Sequence, residues 1–215
     1  MPAVTLFGLE RSVYTRIARL ALHEKDQAYQ LREVEIFGDT GVPADHLQRH
    51  PFGRIPVLEH DGFRLFETAA IARYVDEAFA GPQLQHTEPQ ARALMNQTIG
   101  LLDAYAYRPM VWGVFVQRVR RPLQENAADE ATITRSLASV AVVLDVLERG
   151  LRSRSHLAGD ALTLADLHAY PMLRYFALAP EGAGALAARP ELARWFDAMH
   201  QRGSVMATRT SLEPA

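Results

Sequence analysis

Cysteine is absent from this 215-residue chain. Its absence excludes disulfides, thiolate metal sites and any protein-thiol nucleophile. Long apolar runs are missing too, since no stretch approaches the roughly 18 uninterrupted apolar residues of a membrane span. The opening MPAVTLFGLERSVY has neither the basic nor the long apolar segment of a secretion signal, so a cytoplasmic location is expected. Charge of one sign is not in excess. With 23 Lys and Arg against 25 Asp and Glu, and no long basic run, nucleic-acid binding is not expected. The cluster Arg118, Arg120, Arg121 reads as solvated surface. There is no internal repeat and no low-complexity tract; the Ala- and Gly-rich EGAGALAA at 181–188 comes nearest. What is present is ordinary for a folded protein, with 48% hydrophobic and 22% charged residues. A chain of this length buries about 70% of its unfolded surface and needs no covalent staple.

The pattern changes near residue 80. Ahead of it, short apolar runs alternate with helical periods. AVTLF at 3–7 reads as a buried strand, and Val13, Ile17, Leu20 and Ala21 form a helical stripe. YQLREVEI at 29–36 alternates as a half-buried strand does. Two short runs, 56–59 and 63–66, flank His60-Asp61-Gly62, a strong hairpin signal. Ile71, Tyr74, Val75 and Phe79 then share a helical face. The expected order is β-α-β-(short α)-β-β-α. Residues 80–90, with Gly81, Pro82 and Pro89, read as a linker. Everything beyond reads as helix: Ile133, Leu137, Val140, Leu144, Leu147 and Leu151 step by three and four, and Leu192, Trp195, Phe196 and Met199 make a second stripe. Pro109, Pro122 and Pro190 mark breaks or helix starts, and Pro171 a kink.

A few side chains stand where chemistry is possible. Ser12 follows the first strand and precedes a helical stripe, which makes it a helix N-cap. The same place lies in the field of the helix dipole, where a bound thiolate would accept a hydrogen bond from its hydroxyl. Pro56 reads either as an ordinary proline at a strand start or as a cis proline that turns the N–H and C=O of Ile55 outward, to pair with a bound peptide. Glu67-Thr68 reads as a helix cap or as an anion site for a substrate carboxylate. Thr163 and Asp166 have the spacing of a capping box, with Leu162 and Leu167 at the staple positions, and their role is structural. His46 and His50 could share a helix face, but HLQRH lacks the glutamate of a zinc protease motif and a third ligand, so no metal is expected. Tyr105, Tyr107, Trp112 and Phe115 form an aromatic cluster, read as core or as an apolar substrate wall.

Taken in order, Ser12 after strand one, HPFGRIPVLEHDGFRLFETAAIARYVDE at 50–77 and LTLADLHAYPMLRYF at 162–176 resemble the soluble glutathione S-transferase family along nearly the whole chain. The resemblance implies a thioredoxin-like α/β domain at 1–81, an all-helical domain at 88–215 that forms the electrophile site, and a homodimer. It implies glutathione as co-substrate, no metal, and conjugation of the glutathione thiolate to small apolar electrophiles, a detoxification chemistry. It implies that Pro56 is cis, that the backbone of Ile55 pairs with the cysteinyl unit of glutathione, and that Glu67-Thr68 holds its γ-glutamyl end. FGLERSVYTR resembles the serine-type pattern of phi- and theta-like members, including bacterial ones, which makes Ser12 the thiol-activating residue. Tyr14, two residues on, is the second candidate. Gly41-Val42 stand where some phi-like members carry a His-Lys pair that contacts the glycyl carboxylate; Arg54, His46, Gln48 and Arg49 are the candidate replacements. Cysteine-type members and their disulfide exchange are excluded. Leu9, Tyr107, Trp112 and Phe115 are expected to wall the electrophile pocket. Alternative readings are a glutathione-dependent isomerase, dehalogenase or peroxidase, which would share the thiolate, or a non-catalytic ligand-binding protein of the same fold.

Overall fold

The computed structural model describes residues 4–38 and 41–213. The chain divides into two compact units, one running to Gln83 and joined by the segment from Gly203 onward, the other spanning Leu84–Arg202.

The first unit is built on a four-stranded sheet, β1 (Val4–Gly8), β2 (Gln30–Glu33), β3 (Val57–His60) and β4 (Phe63–Phe66), in the order β2-β1-β3-β4. β1 runs parallel to β2 and antiparallel to β3, and β3 is antiparallel to β4. The parallel pair needs a crossover, which is α1 (Val13–Glu24). Its buried face carries Val13, Ile17, Leu20 and Ala21, as the stripe predicts. Gly8 allows α1 close to β1, because a Cβ there would stand 2.4 Å from the Thr15 Oγ1. α2 (Ala44–Arg49) is short, and α3 (Thr68–Ala78) follows the hairpin. At the hairpin turn Asp61 and Gly62 have φ of 48° and 84°, the two positive values a type I′ turn requires. β2 is shorter and more exposed than the alternation over 29–36 suggests. It is an edge strand, and its ladder stops where β1 stops, the Val34 N–H reaching the Gly8 carbonyl.

The second unit is helical. α4 (Pro89–Leu101) continues with wider, π-type turns over Leu102–Ala106 and Arg108–Arg120 into a last turn, α5 (Arg121–Leu123). The expected break at Pro109 is therefore a change of helical register. Proline lacks the N–H an α-helix would use there. α6 (Glu130–Leu151), α7 (Leu164–Phe176), α8 (Pro180–Ala187) and α9 (Pro190–His200) complete it. α7 runs through Pro171 without ending. Its capping box is present and fully buried: Asp166 accepts from the N–H and hydroxyl of Thr163 at 2.8 and 2.9 Å, from the Leu157 N–H at 2.9 Å and from the Trp195 indole at 2.8 Å.

One boundary differs from the expectation. Residues 203–213, assigned to the helical domain, fold with the sheet unit. The short helix α10 (Gly203–Ala207) and the segment after it lie on α1, where the buried guanidinium of Arg16 takes Glu213 as its counter-charge at 2.5 Å. An unpaired charge buried there would be strongly destabilising. No described helix is long and apolar enough to cross a membrane.

Candidate active site

Three stretches of the first unit carry the residues singled out above. The first is the turn between β1 and α1. Ser12 has extended backbone angles and is the N-cap of α1: its Oγ accepts from the Thr15 N–H at 3.3 Å, and its own N–H closes the turn onto the Leu9 carbonyl at 3.0 Å. The residue is half-buried, and its hydroxyl hydrogen has no acceptor among the described residues. The first turn of α1 contains no acidic side chain. A half-positive helix end and a free O–H donor therefore coincide, the arrangement that favours an anion. Tyr14 lies two residues on and is half-buried.

The second stretch is the 50–57 loop. The Ile55–Pro56 peptide is cis. Ile55 makes no backbone hydrogen bond among the described residues, and its side chain is buried with Phe7, Leu9, Val34 and Val57. The loop is anchored from below by His46, wholly buried, whose Nε2 bonds the Arg54 carbonyl at 2.8 Å. That contact removes His46 from the carboxylate candidates. Arg49 is engaged with Asp45 at 2.8 Å and lies over the Phe7 ring. Gln48 is exposed on α2. Arg54 is exposed and has no ion pair among the described residues. His50 is held below the usual histidine range, chiefly by burial and further by the charges of His46 and Arg54, against the opposing pull of Glu67.

The third stretch is the start of α3. Glu67 sits at φ 70°, a left-handed conformation that costs a non-glycine residue of order 1–3 kcal/mol and that clusters at functional sites. No side chain caps α3, and its first turn has no acidic residue. Thr68 is buried at that open end.

The residues expected to wall an electrophile pocket are less uniform. Leu9 is buried at 2% exposure in the first unit, and Phe115 at 2% in the second, stacked on Tyr175 at 4.7 Å. Both are core, which for Phe115 is one of the two readings given for the aromatic cluster and for Leu9 corrects the expectation. Tyr107 is half-buried, and its hydroxyl accepts from the Trp112 indole at 3.2 Å. Trp112 and Tyr105 are exposed and line a cavity of about 860 Å³ with Pro109, Val142, Val143 and Val146. Among the described residues no cluster of three or more His, Cys, Asp or Glu could hold a metal. Missed by the sequence reading were Glu10, Arg16 and Glu213. The one available signal was Arg16, an arginine wedged among the apolar positions of α1.

Known proteins resemble the chain along its length. Residues 6–83 match the glutathione S-transferase N-terminal domain and residues 87–202 the C-terminal domain. Glutathione S-transferase F13 of Arabidopsis thaliana is 31% identical over 99% of this chain and 98% of its own length. The crystal structure of glutathione transferase F7 from Populus trichocarpa superposes with a TM-score of 0.86 at 30% identity, over 95% of this chain and 97% of that one. Glutathione S-transferase I from maize, in complex with an atrazine glutathione conjugate, gives 0.83 at 27% identity over 95% of each chain. A sheet unit with two unfilled helix ends, a helical unit with a buried capping box and these full-length likenesses have one reading: the chain belongs to the glutathione S-transferase family, enzymes with glutathione as co-substrate.

Proposed function

We propose that this chain is a serine-type glutathione transferase in which Ser12 donates a hydrogen bond to the sulfur of glutathione and keeps it ionised. The observation that carries the reading is the Ser12 hydroxyl. It accepts from the Thr15 N–H and so has its hydrogen to spare, at a helix end with no carboxylate of its own. Accepting a bond also polarises the O–H and makes it a better donor.

The magnitudes suffice. A free thiol with a pKa near 8.5 is only about 3% thiolate at pH 7. Making thiolate the majority form requires about two units of lowering, or about 2.7 kcal/mol. A charge-assisted hydrogen bond supplies about 1.5–3 kcal/mol. The helix end adds about 0.3–1 kcal/mol. Neither a metal nor a general base is needed, and the serine stays protonated. The thiolate then attacks an apolar electrophile held beside it, with orientation contributing the remaining acceleration.

The rest of the tripeptide fits the same unit. The free N–H and C=O of Ile55 pair with the cysteinyl backbone, the Thr68 hydroxyl and the open end of α3 take the γ-glutamyl carboxylate, and Glu67 takes its ammonium group. Arg54, exposed and without an ion pair, is the residue for the glycyl carboxylate. Of the electrophile-wall candidates only Tyr107 and Trp112 lie outside the buried cores, and because Trp112 lines the cavity beside Tyr105 we assign the role to Tyr107.

The experiment is a titration of thiolate absorbance in the glutathione complex of wild type and Ser12→Ala. The mutant thiol should titrate about two units higher; an unchanged value removes Ser12 from the role.

A homodimer is part of the proposal. The cavity beside Tyr105 and Trp112 leaves apolar side chains bare, and Phe52, at 72% exposure, is an apolar side chain seeking cover. A two-fold dimer would take both apolar patches out of water. Sedimentation should show a dimer that Phe52→Ser shifts toward monomer.

A further inference from the structure

The turn that carries Ser12 is short and closed by a single backbone bond, yet the direction of its hydroxyl must be held closely. A hydrogen bond weakens steeply once misaligned, and small displacements of a catalytic group are expensive in rate. What holds the turn comes from the far end of the chain. Two residues before Ser12, the Glu10 carboxylate accepts from the Ser211 N–H at 2.7 Å and from the Ser211 hydroxyl at 3.2 Å, while the Glu10 N–H donates to Glu33 at 3.0 Å. Four residues after it, the Arg16 N–H donates to the Ser12 carbonyl at 2.9 Å, and the Arg16 guanidinium is clamped by Glu213, the Thr208 hydroxyl and the Val205 carbonyl. Arg16 and Glu213 side chains are both wholly buried. Glu213 is itself oriented by the Thr210 N–H at 3.0 Å. The matched C-terminal domain ends at residue 202, one residue before this segment begins.

We propose that Gly203–Glu213 is a strap that aims the Ser12 hydroxyl, with Glu10 and Glu213 as positioning residues; this rests on Ser12 being the thiol-activating group. The strap grips α1 through Arg16 and the preceding turn through Glu10, so the serine is suspended between two fixed points. Neither Glu10 nor Glu213 is assigned a contact with glutathione.

The test uses the full-length protein and the half-exposed Glu10, whose truncation opens no buried cavity. Glu10→Ala should raise the pKa of the bound glutathione thiol by about one unit, which lowers the thiolate fraction at pH 7 about threefold. kcat at pH 7 should fall by about threefold, with the KM for glutathione changed less than about twofold. The unfolding midpoint should not move. Glu10→Gln keeps an acceptor for the Ser211 N–H and should restore the wild-type thiol titration. A wild-type thiol pKa in Glu10→Ala, or a defect confined to KM or to the unfolding midpoint, overturns the strap. Ser12→Ala in the same titration separates the two readings. If Ser12→Ala shifts the thiol and Glu10→Ala does not, only the strap falls; if neither shifts it, both fall.

Discussion

The helix N-termini of the two units are finished differently. In the helical unit the positive ends meet the chain's own carboxylates. Glu88 caps α4, Asp129 caps α6 with Glu130 beside it, Asp166 closes α7, Glu181 lies in the first turn of α8, and Glu148 accepts the first N–H groups of α9. In the sheet unit α1 and α3 have no acidic residue in their first turns, α3 has no cap at all, and α1 is capped by a hydroxyl with its hydrogen unspent. A carboxylate at a helix start satisfies orphan N–H groups and offsets the dipole. Leaving it out forgoes that stabilisation and leaves two positive helix ends open, the ends to which the proposed function assigns the anions of glutathione. The pair α7 and α1 makes the contrast sharpest. Both begin with a hydroxyl residue, but the first is sealed in the core by Asp166 and the second opens onto half-exposed surface.

The largest test of this contrast is Asp166→Ala. It strands the N–H and hydroxyl of Thr163, the Leu157 N–H and the Trp195 indole, all buried. Stability should fall by about 3–5 kcal/mol, read by urea unfolding, because several buried donors lose their partner at once. Ser12→Ala should show the opposite balance. Unfolding should register only about 1 kcal/mol for the lost cap. Turnover at pH 7 should drop roughly 10- to 30-fold as the thiolate fraction returns toward its free value. Thr68→Val, at the uncapped end of α3, should weaken glutathione binding by at least about 1 kcal/mol in calorimetry with little change in the thiol titration. The smallest effect concerns His50, where burial holds the imidazole below its ordinary range. Its folded pKa lies under the unfolded value of about 6.5, so its contribution is intact above that pH and is lost as pH falls through the folded value. His50→Asn, which keeps an acceptor near the Phe52 N–H, should flatten the decline of stability between neutral and mildly acid pH.

Most of the fold was legible because its signals are local. The Asp61-Gly62 turn, the Thr163–Asp166 box and the stripe from Ile133 to Leu151 each depend on residues a few positions apart. The site was legible in part for the same reason, since Ser12 and Thr68 declare themselves as helix starts. Burial was harder to foresee. The family resemblance makes Leu9 and Phe115 pocket walls, yet both sit in cores whose other members, Val57 and Tyr175 among them, come from distant segments. His46 likewise stands among the candidates for the glycyl carboxylate and turns out to be committed to the Arg54 carbonyl.

Periodicity, turn chemistry and capping, all set by neighbours along the chain, determined the two-part architecture, the order of the elements and the serine at the first helix start. Tertiary structure alone decided which ends stay open, which aromatic rings are core and that residues 203–213 return to α1. Pairings such as Arg16 with Glu213 and Glu10 with Ser211 join groups about 200 residues apart, and no local pattern encodes a contact whose partners meet only when the chain has closed on itself.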